Sequence, residues 1–299
     1  MNRPFYVTIF LFLILFYGCD IYEQDTYSEL VVLEAYAIAD RPLPDVRLST
    51  TSPVTEEYIF ADVAINDATI VVSRLNSDSE PVEDFSYIRS RMGTYSAADQ
   101  SVLVEAGGRY RIHVQFDSRD EELSAETVIP QQFEVLSDVE NSYVYQSENQ
   151  LEILLTATES NANQNVYVFN TITLEPNPEN LTPFYANAVD DTDTDIDEFF
   201  NNSSGLINEG NFEINDDRTI LLRFPWIGVA FFGKNAVVIN SVDSNLADLA
   251  RSEELQLGGS TLPPGEIPNL IYNVEGGIGV FGSISSDTLI TNFTRPNTP

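Results

Sequence analysis

The sequence predicts a mainly β protein, in which an N-terminal immunoglobulin-like sandwich is followed by a second β-rich domain with one short helix. From Leu30 onward, short apolar stretches recur between turn residues, which is typical of β-sandwiches. The clearest of them, RYRIHVQF (109–116), alternates apolar and polar side chains at every step, as a half-buried strand does. The spacing of an amphipathic helix is found in residues 244–257, where the helix is expected.

The start of the chain has the features of an export signal. Arg3 precedes an apolar run over residues 5–17. As a helix this run would reach about 20 Å, which is short of the ~30 Å hydrocarbon core of a membrane but suits a signal peptide. The run ends at Gly18-Cys19 and turns acidic at once. This junction resembles a bacterial lipobox, although the two residues before Gly18 are bulkier than that motif usually has.

Cys19 is therefore the predicted site of lipid attachment. We expect a signal peptide over residues 1–18 and a lipidated tether over residues 19–27, which would anchor the protein to a membrane without crossing it. The alternative is an ordinary buried cysteine inside an uncleaved apolar segment. Because Cys19 is the only cysteine, disulfides within the chain and CxxC redox or zinc sites are excluded.

Residues 28–130 are predicted to form the first sandwich. The segment VEAGGRY fits the tyrosine-corner pattern LxPGxxY, with Val104 and Ala106 in place of Leu and Pro. In such a corner the tyrosine hydroxyl bonds back to the backbone at a sandwich edge. Tyr110 should therefore be buried, and the sandwich should end near Ile129.

Residues 131–299 are expected to form the second β-rich domain. Ser244 is the predicted N-cap of the helix at 244–257. Between residues 171 and 218 the chain is rich in proline, polar and acidic residues, and connections that long are usually functional or disordered. We expect residues 186–213 of this connection to form a contact surface for a ligand or receptor.

The charge balance excludes nucleic acid as a partner. The chain has 47 acidic and 14 basic residues, a net charge of −33, and cleavage before Cys19 would leave 13 − 47 = −34. Between Asp120 and Asp217 there are 22 acids and no Lys, Arg or His. Such a surface repels phosphate backbones and other anions, and tolerates neutral or cationic ligands.

An acidic run provides a weak candidate for a calcium site. Asp191, Asp193, Asp195 and Glu198 alternate in a way that could surround Ca²⁺ with oxygen ligands. The EF-hand pattern requires a glycine where Ile196 stands and a glutamate further on. A solvated acidic loop is the favoured alternative, and no cofactor is expected.

No motif in the sequence indicates catalysis. His113 is the only histidine, and it lies on the polar side of its strand. GxSxG, HExxH, Walker A and kinase motifs are missing, so we expect no enzyme. A hydrolase that uses a pair of carboxylates stays open as an alternative, because the separation of such a pair is a tertiary property.

Three glycines near the C-terminus have the GxGxxG spacing of a dinucleotide-binding loop. Gly277, Gly279 and Gly282 form it, but 17 residues follow Gly282, which leaves no room for the required helix and second strand. We expect the glycines to allow tight turns and close backbone approach where a strand enters the sheet.

The segment around these glycines resembles the end of a known family. TLPPGEIPNLIYNVEGGIGVFGSIS is similar to the closing segment of domain of unknown function 4249, a family of Bacteroidota outer-membrane lipoproteins. NDATIVV, EAGGRYRIHV, SAETVIP and NSVDSNLADLARSEELQ resemble earlier parts of that family, so the similarity covers the whole mature chain. The closing positions are Pro263, Pro264, Asn273, Gly276, Gly277, Gly279, Phe281 and Gly282.

The resemblance implies a function in the cell envelope. Members are typically encoded near TonB-dependent receptors, which implies a lipoprotein anchored to the outer membrane, on its periplasmic or cell-surface face, that binds a ligand for such a receptor without catalysis. The alternatives are a structural or adhesive envelope protein and, less favoured, a hydrolase. A concave pocket with clustered aromatics would favour the binding function, and an elongated pair of bare sandwiches would favour a structural spacer. A carboxylate pair in a cleft would favour a hydrolase.

Overall fold

The computed structural model describes residues 27–137, 140–156, 165–192, 195–217, 219–256 and 269–296. Within these ranges the mainly β fold with a sandwich architecture is confirmed. None of the helices in the described ranges is long and apolar enough to span a bilayer. The predicted signal peptide, Cys19 and the tether up to residue 26 lie outside the described residues.

Strands are the main regular structure in both halves of the described chain. Before residue 130 they are β1 Val31–Ile38, β2 Val46–Thr50, β3 Ala68–Leu75, β4 Pro81–Arg91, β5 Thr94–Ala97, β6 Arg109–Phe116 and β7 Glu122–Val128. After residue 130 they are β8 Ser142–Val144, β9 Glu152–Leu155, β10 Val166–Thr173, β11 Asn201–Ser203, β12 Ile207–Asn208, β13 Glu213–Ile214, β14 Ile220–Arg223, β15 Gly233–Val242, β16 Val274–Glu275 and β17 Ile278–Thr294. The α-helices are α1 Phe60–Val63, α2 Pro183–Thr192 and α3 Ser244–Glu254.

The first sandwich closes through its long strand β4. One side has the strand order β17-β1-β2-β5-β4 and the other has β4-β3-β6-β7-β16. The two sides share a core that includes Leu33, Leu48, Val72, Ile112 and Phe281. Alternation along β6 is as predicted, because its apolar side chains at 110, 112, 114 and 116 are all buried.

The predicted tyrosine corner is confirmed. Tyr110 is 2% exposed, and its Oη accepts a hydrogen bond of 2.9 Å from the backbone N–H of Glu105. That bond satisfies a backbone donor at the turn that leads into β6, where glycine at position 107 has a φ of 73°. The corner therefore fixes the direction in which β6 enters the sandwich.

The second core lies between two sheets of unequal size. Strands β10, β15 and β17 pair in antiparallel fashion and face the small sheet β13-β14-β9. Aromatic side chains dominate the space between the sheets, including Phe133, Tyr167, Phe169, Phe224 and Phe293. Aromatic rings bury more area than aliphatic side chains, so a short three-stranded sheet suffices to close this core.

Strand β17 belongs to both cores. Its first part pairs in parallel with β1, from Ile278 opposite Val32 to Ile284 opposite Ile38. Its second part pairs in antiparallel fashion with β15, over residues 284–293. A domain boundary at residue 130 stays a prediction, and the structure adds that the last strand returns to the core of residues 28–130.

The helices differ from the sequence expectation in two details. Helix α3 lies where it was predicted, but its N-cap is Asp243 and not Ser244, because the Asp243 Oδ1 accepts the N–H of Leu246 at 3.0 Å. Helix α2 lies in the segment predicted to be a loop. It begins after Thr182, a fully buried residue whose hydroxyl donates to the carbonyl of Val229 and whose N–H donates to the carbonyl of Ala230, so a distant part of the chain holds the helix in place.

The predicted close approach at the glycines is confirmed. Gly279 has a φ of 114°, and a Cβ on it would lie 2.0 Å from the carbonyl oxygen of Leu33. Gly276 has a φ of 81°, and a Cβ there would lie 2.1 Å from the carbonyl oxygen of Glu122. Both positions accept only glycine, because any side chain would push β17 away from its neighbours.

A polar junction of five residues joins the two sandwiches behind β17: Thr127, Asp243, Asn245, Asn273 and Ser283. The Thr127 hydroxyl donates to Asp243 Oδ2 at 2.6 Å and lies 2.7 Å from Ser283 Oγ. Both amides donate to the carbonyls of residues 126 and 281, at 2.8–3.0 Å. These bonds satisfy backbone groups of β7 and β17 that meet at the end of α3.

Substitution at Gly279 should cost far more stability than substitution at a matched glycine. Gly205 also has a positive φ, of 70°, but the nearest atom to its added Cβ is 4.0 Å away. We expect Gly205→Ala to lower the free energy of unfolding by about 1–2 kcal/mol, the usual cost of that backbone conformation. Gly279→Ala should lower it at least twice as much, as measured by urea denaturation, and equal losses would contradict the close approach.

Asp243→Asn should change how stability depends on pH. Burial raises the pKa of Asp243 above its ordinary value of 3.8, and the hydrogen bonds from Thr127 and Leu246 oppose this only in part. The folded state then holds this proton more tightly than the unfolded chain, so the residue's stabilising contribution is present below pH 3.8 and is lost as the pH rises through the folded pKa.

Asparagine at 243 keeps the cap but does not titrate, so the stability of the variant relative to wild type should rise over that same pH window. Urea denaturation of both proteins at each pH measures this difference. Repeating it in 1 M NaCl is the control, because salt screens the surface carboxylates but not a buried one. A difference that falls with rising pH would contradict the assignment.

Candidate functional site

A pocket of about 490 Å³ opens in the second domain, between β10, β14 and residues 202–212. Its volume lies within the range of small-molecule sites. Most of its wall is apolar, formed by Phe169, Tyr185, Ile207, Phe212, Leu222, Phe224, Pro225 and Ile227. This concave site with clustered aromatics is the feature that was expected to favour binding.

Packed aromatic rings hold one wall of the pocket. Phe212 follows the 3₁₀ turn Glu209–Asn211, and its ring meets those of Tyr167 and Phe169 edge-on, with centroids 5.8 Å and 5.9 Å away. Edge-to-face pairs of this kind stabilise by about 0.5–1.5 kcal/mol beyond area burial. Contacts among its own aromatic rings therefore hold this wall in place.

A small polar cluster forms the opposite end. The Tyr185 Oη donates to the carbonyl of Ile227 at 2.6 Å. The Asn202 Nδ2 donates to Tyr185 Oη at 2.6 Å and to the carbonyl of Gly228 at 3.1 Å. Burial raises the pKa of Tyr185, so this phenol is neutral at physiological pH and the cluster adds no charge to the pocket.

The positive charge in the pocket wall is Arg223, and carboxylates offset it. Its Nε donates to Glu152 Oε1 at 3.1 Å and its Nη1 to Glu213 Oε2 at 3.4 Å. These side chains are more than half exposed, so each pair contributes at most about 1 kcal/mol. Their effect on a ligand is to reduce the attraction of Arg223 for anions.

The polar side chains of the pocket wall are mostly hydroxyls and amides. None of the described residues that line it is Asp, Glu, His or Cys. The hydroxyl of Ser204 donates to the carbonyl of Gly205 at 2.8 Å and accepts from the N–H of Phe169 at 3.0 Å. That hydroxyl therefore positions the backbone, and the arrangement as a whole is suited to binding.

A groove elsewhere in the C-terminal half brings together three carboxylates, the kind of group that a carboxylate-pair hydrolase would use. Glu140, Glu148 and Glu152 line it. Both oxygens of Glu140 accept from the Asn149 amide at 3.2 Å, and Glu152 accepts from Arg223. Two of the three carboxylates are thus already bonded to neighbouring side chains.

The structure leaves the calcium hypothesis as a prediction. Asp195 precedes the 3₁₀ turn that contains Glu198, whereas Asp193 and the side chain of Asp191 lie outside the described residues. In the part of the chain that is described, no group of three or more His, Cys, Asp or Glu side chains is placed to hold a metal ion.

His113 lies far from the pocket, on β6 of the first sandwich. Its Nε2 is 3.7 Å from Glu122 Oε2. It lines a polar groove in which Arg111 and Glu126 form a close ion pair. The sequence placed His113 on a polar strand face, and the structure agrees.

Part of the predicted contact segment reaches the pocket. Of residues 186–213, Asn202, Ser203, Ser204, Ile207, Asn211 and Phe212 line it. The sequence analysis missed the remaining wall, which includes Phe169, Leu222 and Phe224, because it treated this part of residues 131–299 only as a β-rich domain. The alternation of apolar and polar residues along a strand is the same whether the apolar side chains face a pocket or a core. The sequence pattern therefore cannot reveal a pocket wall.

The fold and the pocket define a β-sandwich protein with a cavity of small-molecule size. The chain belongs to the family described as "Domain of unknown function (DUF4249)", whose model matches residues 19–290. No curated protein matches the chain significantly.

Two solved structures illustrate how distant the structural similarity is. Trypsin-activated alpha-2-macroglobulin from Escherichia coli is 10% identical with a TM-score of 0.21, over 73% of this chain and 15% of that one. The FN1-FN3 domains of chicken CNTN1 are 10% identical with a TM-score of 0.22, over 87% of this chain and 63% of that one. The chain thus spans less than two thirds of either protein.

Proposed function

We propose that this protein is a lipid-anchored outer-membrane protein that captures a ligand in the aromatic pocket, without catalysis, for a TonB-dependent receptor. The pocket is the observation that carries the proposal, since it is concave, largely apolar and preformed. Family membership over residues 19–290 supports the envelope setting, because the resemblance implies Bacteroidota lipoproteins encoded near such receptors.

The ligand is a largely apolar molecule that carries uncharged or cationic polar groups. The aromatic wall favours an apolar body, and the cluster of Tyr185 and Asn202 offers neutral hydrogen bonding. Residues 120–217 contribute acids without bases, and the resulting negative potential disfavours anions.

The lipid anchor is proposed at Cys19. An apolar run of signal-peptide length ends directly before it, and the polarity changes abruptly after it. Acyl chains on this residue would hold the protein at the outer membrane, on its periplasmic or cell-surface face.

The pocket should bind a neutral aromatic probe and discriminate against an anionic one. We expect N-phenyl-1-naphthylamine to gain fluorescence with the wild-type protein, and anilinonaphthalene sulfonate of similar shape to gain much less. Ile227→Glu should weaken the neutral probe at least tenfold, because it removes apolar wall area and places a carboxylate where the probe must bind.

A matched control exists for this variant. Ile214 is exposed to the same degree, 54% against 57% for Ile227, and lies outside the pocket wall. Ile214→Glu should leave probe binding unchanged. Equal weakening by both substitutions would locate the probe elsewhere, and reproducible turnover of any substrate would overturn the non-catalytic function.

Cys19→Ala should release the protein from the membrane or stall its processing. Without the thiol there is no site for diacylglycerol, and the anchor is lost. Fractionation of cells that express each form, followed by mass spectrometry of the mature N-terminus, measures both effects. A variant that stays in the outer-membrane fraction with normal processing would contradict the lipoprotein assignment.

A further inference from the structure

The described chain begins at one end of the first sandwich and is fixed there. The Tyr27 Oη donates to the carbonyl of Thr51 at 2.5 Å, and the N–H of Leu30 donates to Thr51 Oγ1 at 3.1 Å. These bonds hold the incoming chain against the end of β2, next to the first residue of β1. The path from Cys19 therefore arrives at this end of the sandwich.

Exposed apolar side chains gather at the same end. We call them the apolar rim. Val54 is fully exposed, and the other members are about half exposed. The rim consists of Tyr27, Leu30, Val54, Tyr58, Ile59 and Met92.

Contacts between the loops bring the rim together. The loop that carries Val54 and Ile59 starts where β2 ends, opposite the start of β1. The ring of Phe60, which follows that loop, is so close to Gly93 that a Cβ there would lie 2.8 Å from it. This contact places the β4–β5 turn, and with it Met92, beside the loop.

The tether is too short to take the rim far from a lipid anchor. Seven residues lie between Cys19 and Tyr27, so the eight steps from one to the other span at most about 28 Å when fully extended and about 16 Å as a flexible chain. A short tether also raises the local concentration of the rim at the bilayer surface to the millimolar range. Weak insertion is then sufficient for lasting contact.

We propose that the apolar rim docks on the membrane, with its side chains in the headgroup region of a phospholipid bilayer. The inference rests on the lipid anchor at Cys19 that belongs to the proposed function. Tyrosine and aliphatic side chains favour this zone. Glu56 and Glu57 lie in the same loop and are exposed, so zwitterionic headgroups suit the rim better than anionic ones.

Docking of the rim would fix the distance between the ligand pocket and the bilayer surface. Phe169 of the pocket pairs with Ile239, which pairs with Asp287 of β17. Asp287 is nine residues from Ile278, the end of β17 that lies beside the rim. At about 3.3 Å per residue, the pocket is held roughly 30 Å from the rim along the strand direction. Docking thus keeps the pocket at a distance from the bilayer.

The test uses the lipidated full-length protein on vesicles of phosphatidylcholine. Acylation blocks the single native thiol, so Val54→Cys provides one site for an environment-sensitive NBD label. We expect quenching by lipids with a nitroxide near the headgroup to be several-fold stronger for Val54→Cys than for Ile214→Cys, an exposed apolar position in the second domain. Ile59→Glu in the Val54→Cys background should reduce that quenching at least threefold.

The outcomes separate the docking inference from the function on which it rests. If the labelled protein floats with vesicles but shows equally weak quenching at both positions, docking is overturned and the lipid anchor stands. If the protein does not float and Cys19 itself takes the label, both the anchor and the docking are overturned. Strong quenching that survives Ile59→Glu would also contradict insertion of the rim.

Discussion

The contact on which both sandwiches depend is the close passage of β17 over β1 at Gly279. The carbonyl of Leu33 occupies the space where a side chain would stand, so the parallel pairing of the two strands at this point requires glycine. Because β17 continues directly into the second core, any displacement at Gly279 is passed along the strand. One backbone contact thus fixes the position of two hydrophobic cores.

The polar junction also joins the two sandwiches, through hydrogen bonds of its side chains. Asp243 is 7% exposed and serves two elements at once, since one oxygen caps α3 and the other accepts from Thr127 on β7. Burying a carboxylate costs free energy, which appears as its raised pKa. The chain retains the group because apolar replacements would leave the first N–H groups of α3 without partners where the two sandwiches meet.

The sequence predicted local features well and long-range ones poorly. The tyrosine corner, the β6 alternation and helix α3 each depend on a few neighbouring residues, and they could be read directly. Either Asp243 or Ser244 could cap the helix as judged from the sequence. The choice of Asp243 depends on its contact with Thr127, and through it Ser283, which are distant in the chain. The pocket combines Phe169, Phe212 and Phe224, whose separate positions in the chain carry no sign that they meet.

The uneven distribution of charge gives the two halves of the molecule different surroundings. Residues 28–119 contain eight arginines against 15 acids, whereas residues 120–217 contain no base against 22 acids. Several of those arginines are bound by carboxylates of their own domain, as in the pairs Arg74–Glu83 and Arg119–Glu29. The first sandwich is therefore the less repulsive face toward a phospholipid surface. The second carries the larger excess of negative charge, and the charged residue of its pocket wall, Arg223, is paired with Glu152 and Glu213. In the proposed ligand capture, this negative field selects ligands by charge before the aromatic wall selects them by shape.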